Sequence, residues 1–117
     1  WEPKLFWKST IALDQVTLVY QTTAQLAIQV AIYMGFKDIQ LYGFDHDWLA
    51  SPDYSKHFYS DEKDETDHLH LHSYHSIINL MDRMWDIYET IDRLSTRNGI
   101  KITNRNPKSY LDVFDKK

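Results

Sequence analysis

With 117 residues, 43% of them hydrophobic and 26% charged, the chain is long enough for one ordinary domain to bury a core without disulfides or a structural metal. Seventeen acidic residues against thirteen basic ones give a formal charge of −4, and no Lys/Arg block occurs, so the electrostatic footprint of a nucleic-acid binder is missing. Zero cysteines exclude a disulfide scaffold and thiolate chemistry, and fit a reducing, cytoplasmic setting. The longest apolar run, Leu26 to Phe36, is interrupted by Gln29 and falls short of the roughly 18 to 20 residues of a membrane span. No signal peptide is visible. The opening WEPKLFWKS lacks an initiator Met, and we expect a single α/β domain that is the C-terminal half of a larger protein.

The first predicted element is a short strand in QVTLVY, residues 15 to 20, rich in β-branched and aromatic side chains. Thr22 with Gln25 three residues later has the form of a capping box, which opens a helix over residues 23 to 34. That helix is apolar on nearly every side, so it is expected to be buried, and Gly35 stands where a left-handed cap is wanted. DIQLYG, residues 38 to 43, supplies a second strand, and strand–helix–strand at this spacing predicts a parallel pair. A loop follows, with a solvated charge-rich stretch SDEKDETD. Next comes a long amphipathic helix from about Asp67 or His70 to Arg97, with Ile77, Met81, Met84, Tyr88 and Ile91 three and four apart. Asn98-Gly99 ends it, IKIT gives a strand over residues 100 to 103, and NPKSYLDVF closes with a turn and a short apolar segment. The order β-α-β-loop-α-β is that of an open α/β sheet.

In parallel α/β sheets ligands sit outside the carboxyl ends of the strands, and two features fall at that edge. The turn Tyr20-Gln21-Thr22-Thr23 leads into the first helix, where free main-chain N–H groups and the helix dipole favour an anion such as phosphate; a plain N-cap is the simpler role for Thr22. Gly43-Phe44-Asp45-His46-Asp47 directly follows the next strand. Two carboxylates flanking an imidazole suit a hydroxylated ligand, a divalent ion or proton exchange, although an aspartate at a strand end often just caps a turn. HLHLHSYH brings His68, His70, His72 and His75 close together, but without an HExxH pattern. We therefore expect no metal site and favour a single histidine acting as base or phosphate partner. His57, before Phe58-Tyr59, is another candidate, and Trp85, Met81 and Met84 are assigned to the core.

Three segments together resemble a known family. TTAQLAIQVAIYMGFKDIQLYGFDHDW, KHFY and GIKITNRNPKSYLDVF, in this order and spacing, are similar to the C-terminal half of the bacterial and archaeal family of motility accessory factor and 6-hydroxymethylpterin pyrophosphokinase, the MptE-like family. The match covers about residues 16 to 114, and the same arrangement is similar to bacterial sialyltransferases that use CMP-sugars. The resemblance implies a Rossmann-like open parallel sheet with flanking helices, acting on a nucleotide-activated or diphosphate substrate. It places Thr22, Thr23, Asp45, His46 and Asp47 beside the nucleotide, and assigns a general base ahead of the long helix, for which His57, His70 and His72 are candidates. Trp48 and Tyr59 offer flat faces to a base or sugar ring. The family's N-terminal phosphate loop, bearing glycine and asparagine, has no counterpart among these residues.

The leading expectation is a glycosyltransferase-like enzyme with a nucleotide-sugar donor and a glycan or protein acceptor, in surface-glycan, lipopolysaccharide or flagellin modification. No cofactor is assigned to it, and Mg²⁺ is left open. One alternative is a pyrophosphokinase-like diphosphotransferase, for which Mg²⁺ would bridge the phosphates. The other is a non-catalytic fragment or binding module.

Overall fold

The computed structural model describes residues 20 to 47, residue 50 and residues 74 to 117. Five elements follow in chain order: α1 (Thr23–Tyr33), β1 (Asp38–Leu41), α2 (Tyr74–Arg97), β2 (Lys101–Asn104) and β3 (Asp115–Lys116). The strands form one sheet in the order β1-β2-β3. Both pairings are parallel, so among the described residues this is a small α/β unit with a wholly parallel sheet. The expected strand over residues 15 to 20 lies outside the described residues.

α1 begins as its sequence dictates. Thr22, in extended conformation, accepts a hydrogen bond on its hydroxyl from the Gln25 amide at 3.2 Å. Gln25 answers with Oε1, which accepts from the Gln21 amide at 2.8 Å, one residue further back than in the usual reciprocal box. The helix ends at Gly35, whose φ of 89° lets its own amide bond Ile32 and the Phe36 amide bond Ala31. α2 ends by the same device: Gly99 has φ 65°, its amide reaches Thr96, and the Ile100 amide reaches Ser95.

β1 buries alternate residues, Ile39 and Leu41, while β2 buries Ile102, Thr103 and Asn104. Their register sets Ile39 beside Ile102 and Leu41 beside Asn104. The apolar stripe of α2, comprising Met84, Tyr88 and Ile91, packs with these side chains, with Ile28 of α1 and with Leu111 and Phe114 of the C-terminal segment, to make one core. The expectation of a fully buried first helix is corrected. α1 buries only the face carrying Gln25, Ile28 and Gln29, whereas Ala27, Tyr33 and Met34 are exposed. The buried face is therefore partly polar, and Gln25 Nε2 uses it to donate to the Met84 carbonyl of α2 at 2.9 Å.

Candidate functional site

The geometry that matters lies beyond the carboxyl ends of β1 and β2. Leaving β1, the chain turns at Gly43, with φ 74°, and reaches His46, which holds a left-handed φ of 55°. Non-glycine residues adopt that conformation at a cost of roughly 1 kcal/mol, so it persists only where neighbours fix it. Here they do. Leaving β2, Asn104 donates from Nδ2 to the Phe44 carbonyl at 3.2 Å, Ser109 Oγ donates to the same carbonyl, and the Tyr110 amide donates to the Asp45 carbonyl at 2.8 Å. Asn106 Nδ2 donates to the Asp45 carboxylate. Asn104 and Ser109 are themselves pinned, because Asn104 Oδ1 accepts from the Asn106 amide and Ser109 Oγ from the Leu111 amide. Two strand-end loops are thereby joined into one wall.

The His46 ring turns from this wall towards the helices. Its Nε2 lies 3.0 Å from the phenol oxygen of Tyr88 in α2. Around the imidazole stand Trp85 and Tyr88 edge-on, with centroids at 5.6 and 5.2 Å, and Phe44 stacked at 6.1 Å. Trp85 is held by its own Nε1, which donates to the Asp112 carboxylate at 3.2 Å. This aromatic enclosure depresses the His46 pKa, since burial penalises the imidazolium. The opposing attractions of Asp45, the Phe44 main chain and Asp47 do not overcome it. Burial likewise pushes the Tyr88 phenol up, against a smaller opposing influence of the Thr22 side chain.

Of the residues expected from sequence, Thr22, Thr23, Asp45, His46 and Asp47 all lie at this sheet edge. Thr22 caps α1, Thr23 is exposed in its first turn, and Asp45 is exposed but engaged by Asn106. Trp48, His57, Tyr59 and His72 lie outside the described residues, as do His68 and His70. His75 is exposed on α2, its Nε2 3.0 Å from the Asn79 amide nitrogen. Tyr88, Asn104, Asn106 and Ser109 were not anticipated. For the last three a signal existed: polar residues following a strand at the edge where the first loop also ends.

Among the described residues no group of three His, Asp or Glu side chains is placed to hold a metal ion, and no helix is long and apolar enough to cross a membrane. The arrangement can offer main-chain N–H groups at the N-terminus of α1, carboxylates at Asp45 and Asp47, and a neutral imidazole behind them. No family model, curated protein or solved structure matches this chain.

Proposed function

We propose that the chain is part of a Rossmann-like transferase of the glycosyltransferase type, taking a nucleotide-activated sugar for surface-glycan or flagellin modification. The observation that supports this reading is that the loop Gly43-Phe44-Asp45-His46-Asp47 leaves the carboxyl end of one of two parallel strands and returns His46 onto Tyr88 of α2, with a side-chain-capped helix N-terminus in the unit that precedes that strand. The carboxyl edge is where open α/β sheets take up phosphorylated ligands. The nucleotide phosphates lie against the first-turn amides of α1, and the sugar hydroxyls face Asp45 and Asp47. A histidine ahead of α2, His57 or His72, accepts the proton of the attacking hydroxyl.

Calorimetry with CMP or a CMP-sugar against ATP with Mg²⁺ tests the proposal directly. CMP is expected to bind more tightly. Tight Mg²⁺-dependent ATP binding with none for CMP overturns it and points to the pyrophosphokinase-like reaction. In a transfer assay, His57→Ala or His72→Ala lowers turnover by roughly 10²- to 10⁴-fold, the usual worth of a positioned proton acceptor. A small equal loss in both removes the histidine base from the mechanism.

A further inference from the structure

Of the chain's asparagines, Asn98 alone is followed by glycine. Such a pair is the most susceptible setting for attack of a main-chain nitrogen on the preceding asparagine side chain, because Gly99 has no Cβ to obstruct the approach. Asn79 precedes Leu80 and Asn104 precedes Arg105, whose side chains crowd it, while Asn106 precedes Pro107, which has no N–H to give. In the folded chain the reacting groups of Asn98 and Gly99 are engaged elsewhere. The Gly99 amide, in its left-handed turn with φ 65°, donates to the Thr96 carbonyl at 3.1 Å. Asn98 Nδ2 donates to the Leu94 carbonyl at 2.7 Å, the same oxygen that the Asn98 main-chain amide meets at 3.2 Å. The side chain is therefore folded back along α2, whereas the nitrogen that would attack it follows in the chain. Ile100, buried, donates its amide to the Ser95 carbonyl at 2.9 Å, and Lys37 Nζ donates to the Asn98 carbonyl at 3.3 Å.

We propose that Asn98-Gly99 is a latent deamidation site, silenced by the C-terminal cap of α2 and released when that cap opens. On opening, the Gly99 nitrogen loses its hydrogen and forms a bond to Cγ of Asn98, and Nδ2 takes up a proton and leaves as ammonia. One water then opens the resulting cyclic imide and returns a hydrogen to the Gly99 nitrogen. Breaking the bond from that nitrogen to Cγ leaves aspartate; breaking the bond to the main-chain carbonyl carbon leaves isoaspartate. Either product undoes the cap that protected it. Aspartate sets an anion where the Leu94 carbonyl had a donor, at the negative end of the α2 dipole, and the exposed Lys37 offsets this little. Isoaspartate lengthens the main chain by a carbon atom, so the Gly99 and Ile100 amides lose their register with Thr96 and Ser95. The junction stands at the amino ends of β1 and β2, where the Lys101 amide donates to the Lys37 carbonyl at 2.8 Å, and so at the edge of the sheet opposite Asp45 and His46.

The inference goes beyond the nucleotide-sugar reading and is tested without any ligand, so its failure is separate from a failure of CMP to bind. The full chain is held in mildly alkaline buffer, either folded or in guanidinium, and the products at residue 98 are followed by peptide mapping that separates isoaspartate from aspartate. Amide hydrogen exchange at Gly99 and Ile100 measures opening of the cap in the same buffer. Deamidation of Asn98 is expected to be roughly tenfold or more slower in the folded chain, by a factor that matches the protection of the Gly99 amide. Ile100→Ala loosens the buried anchor beside the cap and is expected to raise both rates together. Asn98→Asp makes the aspartate product directly and is expected to speed exchange at Gly99 and Ile100 severalfold. Equal rates in the folded and denatured chains overturn the proposal, as does a protected Gly99 amide beside an unprotected Asn98, and this comparison decides even if Ile100→Ala fails to fold. Unchanged exchange in Asn98→Asp overturns the claim that the product undoes the cap.

Discussion

At the scale of single residues, the question about His46 is which of several opposed effects governs its charge. Asp45 and Asp47 favour the imidazolium, but burial among Phe44, Trp85 and Tyr88 outweighs them and the pKa falls below its ordinary 6.5. The sign of the stability effect follows. An unfolded chain binds a proton at His46 more readily than the folded one, so the contribution is complete above about pH 6.5 and is lost as pH falls through the folded pKa. His46→Asn tolerates the left-handed backbone and removes the titration. Denaturant midpoints of the two proteins are therefore expected to differ most near pH 8 and to converge towards pH 5; a gap that widens on acidification means that the carboxylates govern instead. Sequence singled out the Asp45-His46-Asp47 trio because three titratable groups after a strand are conspicuous. Tyr88 was passed over for an equally physical reason: its helical spacing already explained it as core, which it also is, and spacing says nothing of a hydroxyl's partner in a distant loop.

At the scale of elements, what was legible is what local chemistry determines. The Thr22–Gln25 cap and the two glycine ends appear where short-range hydrogen bonding puts them. Gly35 shows how far such an argument carries: a Cβ there meets nothing within 4 Å, so Gly35→Ala is expected to cost only the left-handed backbone penalty, about 1 kcal/mol, read as a small drop in thermal midpoint. The burial of α1 was less legible. An even apolar surface suggested burial all round, yet Gln25 and Gln29 are on the inner face and Tyr33 and Met34 on the outer. Gln25 is repaid by the Met84 carbonyl and the Gln21 amide, whereas both amide atoms of Gln29 are buried without a hydrogen-bond partner. A buried polar group left unpaired costs about 1 to 3 kcal/mol. Gln29→Met, close in size, is accordingly expected to raise the unfolding free energy by about 1 kcal/mol, and a clear loss would show that the amide does make bonds in solution. β3 could not be foreseen at all, because Asp115–Lys116 is two exposed polar residues made into a strand only by its register with Thr103 and Asn104.

At the scale of the whole molecule, the alternation of elements was sufficient for the parallel pairing of β1 with β2 across α2, since a long connection between adjacent strands permits it and a tight turn does not. The role of the last residues was not contained in that alternation. The segment from Asn104 to the C-terminus closes the site wall through Asn104, Asn106 and Ser109, and it also delivers Leu111 and Phe114, each almost wholly buried, into the same core as Ile39, Tyr88 and Ile102. A tail merely laid on a finished domain would detach without consequence for the rest. One that completes the core should unfold with it. Phe114→Ala distinguishes the two, because it removes the ring that meets Tyr88 edge-on and leaves a cavity beside the residue that holds His46. Large-to-small changes of this kind cost about 3 to 5 kcal/mol, a large share of the roughly 5 to 15 kcal/mol by which domains are stable. Far-UV circular dichroism and the ring resonances of His46 are expected to report a single, coincident transition in both proteins, displaced by that amount in the variant. If the variant instead keeps the wild-type helical midpoint while the His46 resonances change alone, the C-terminal segment is an attachment and the site wall it forms can open without unfolding the sheet.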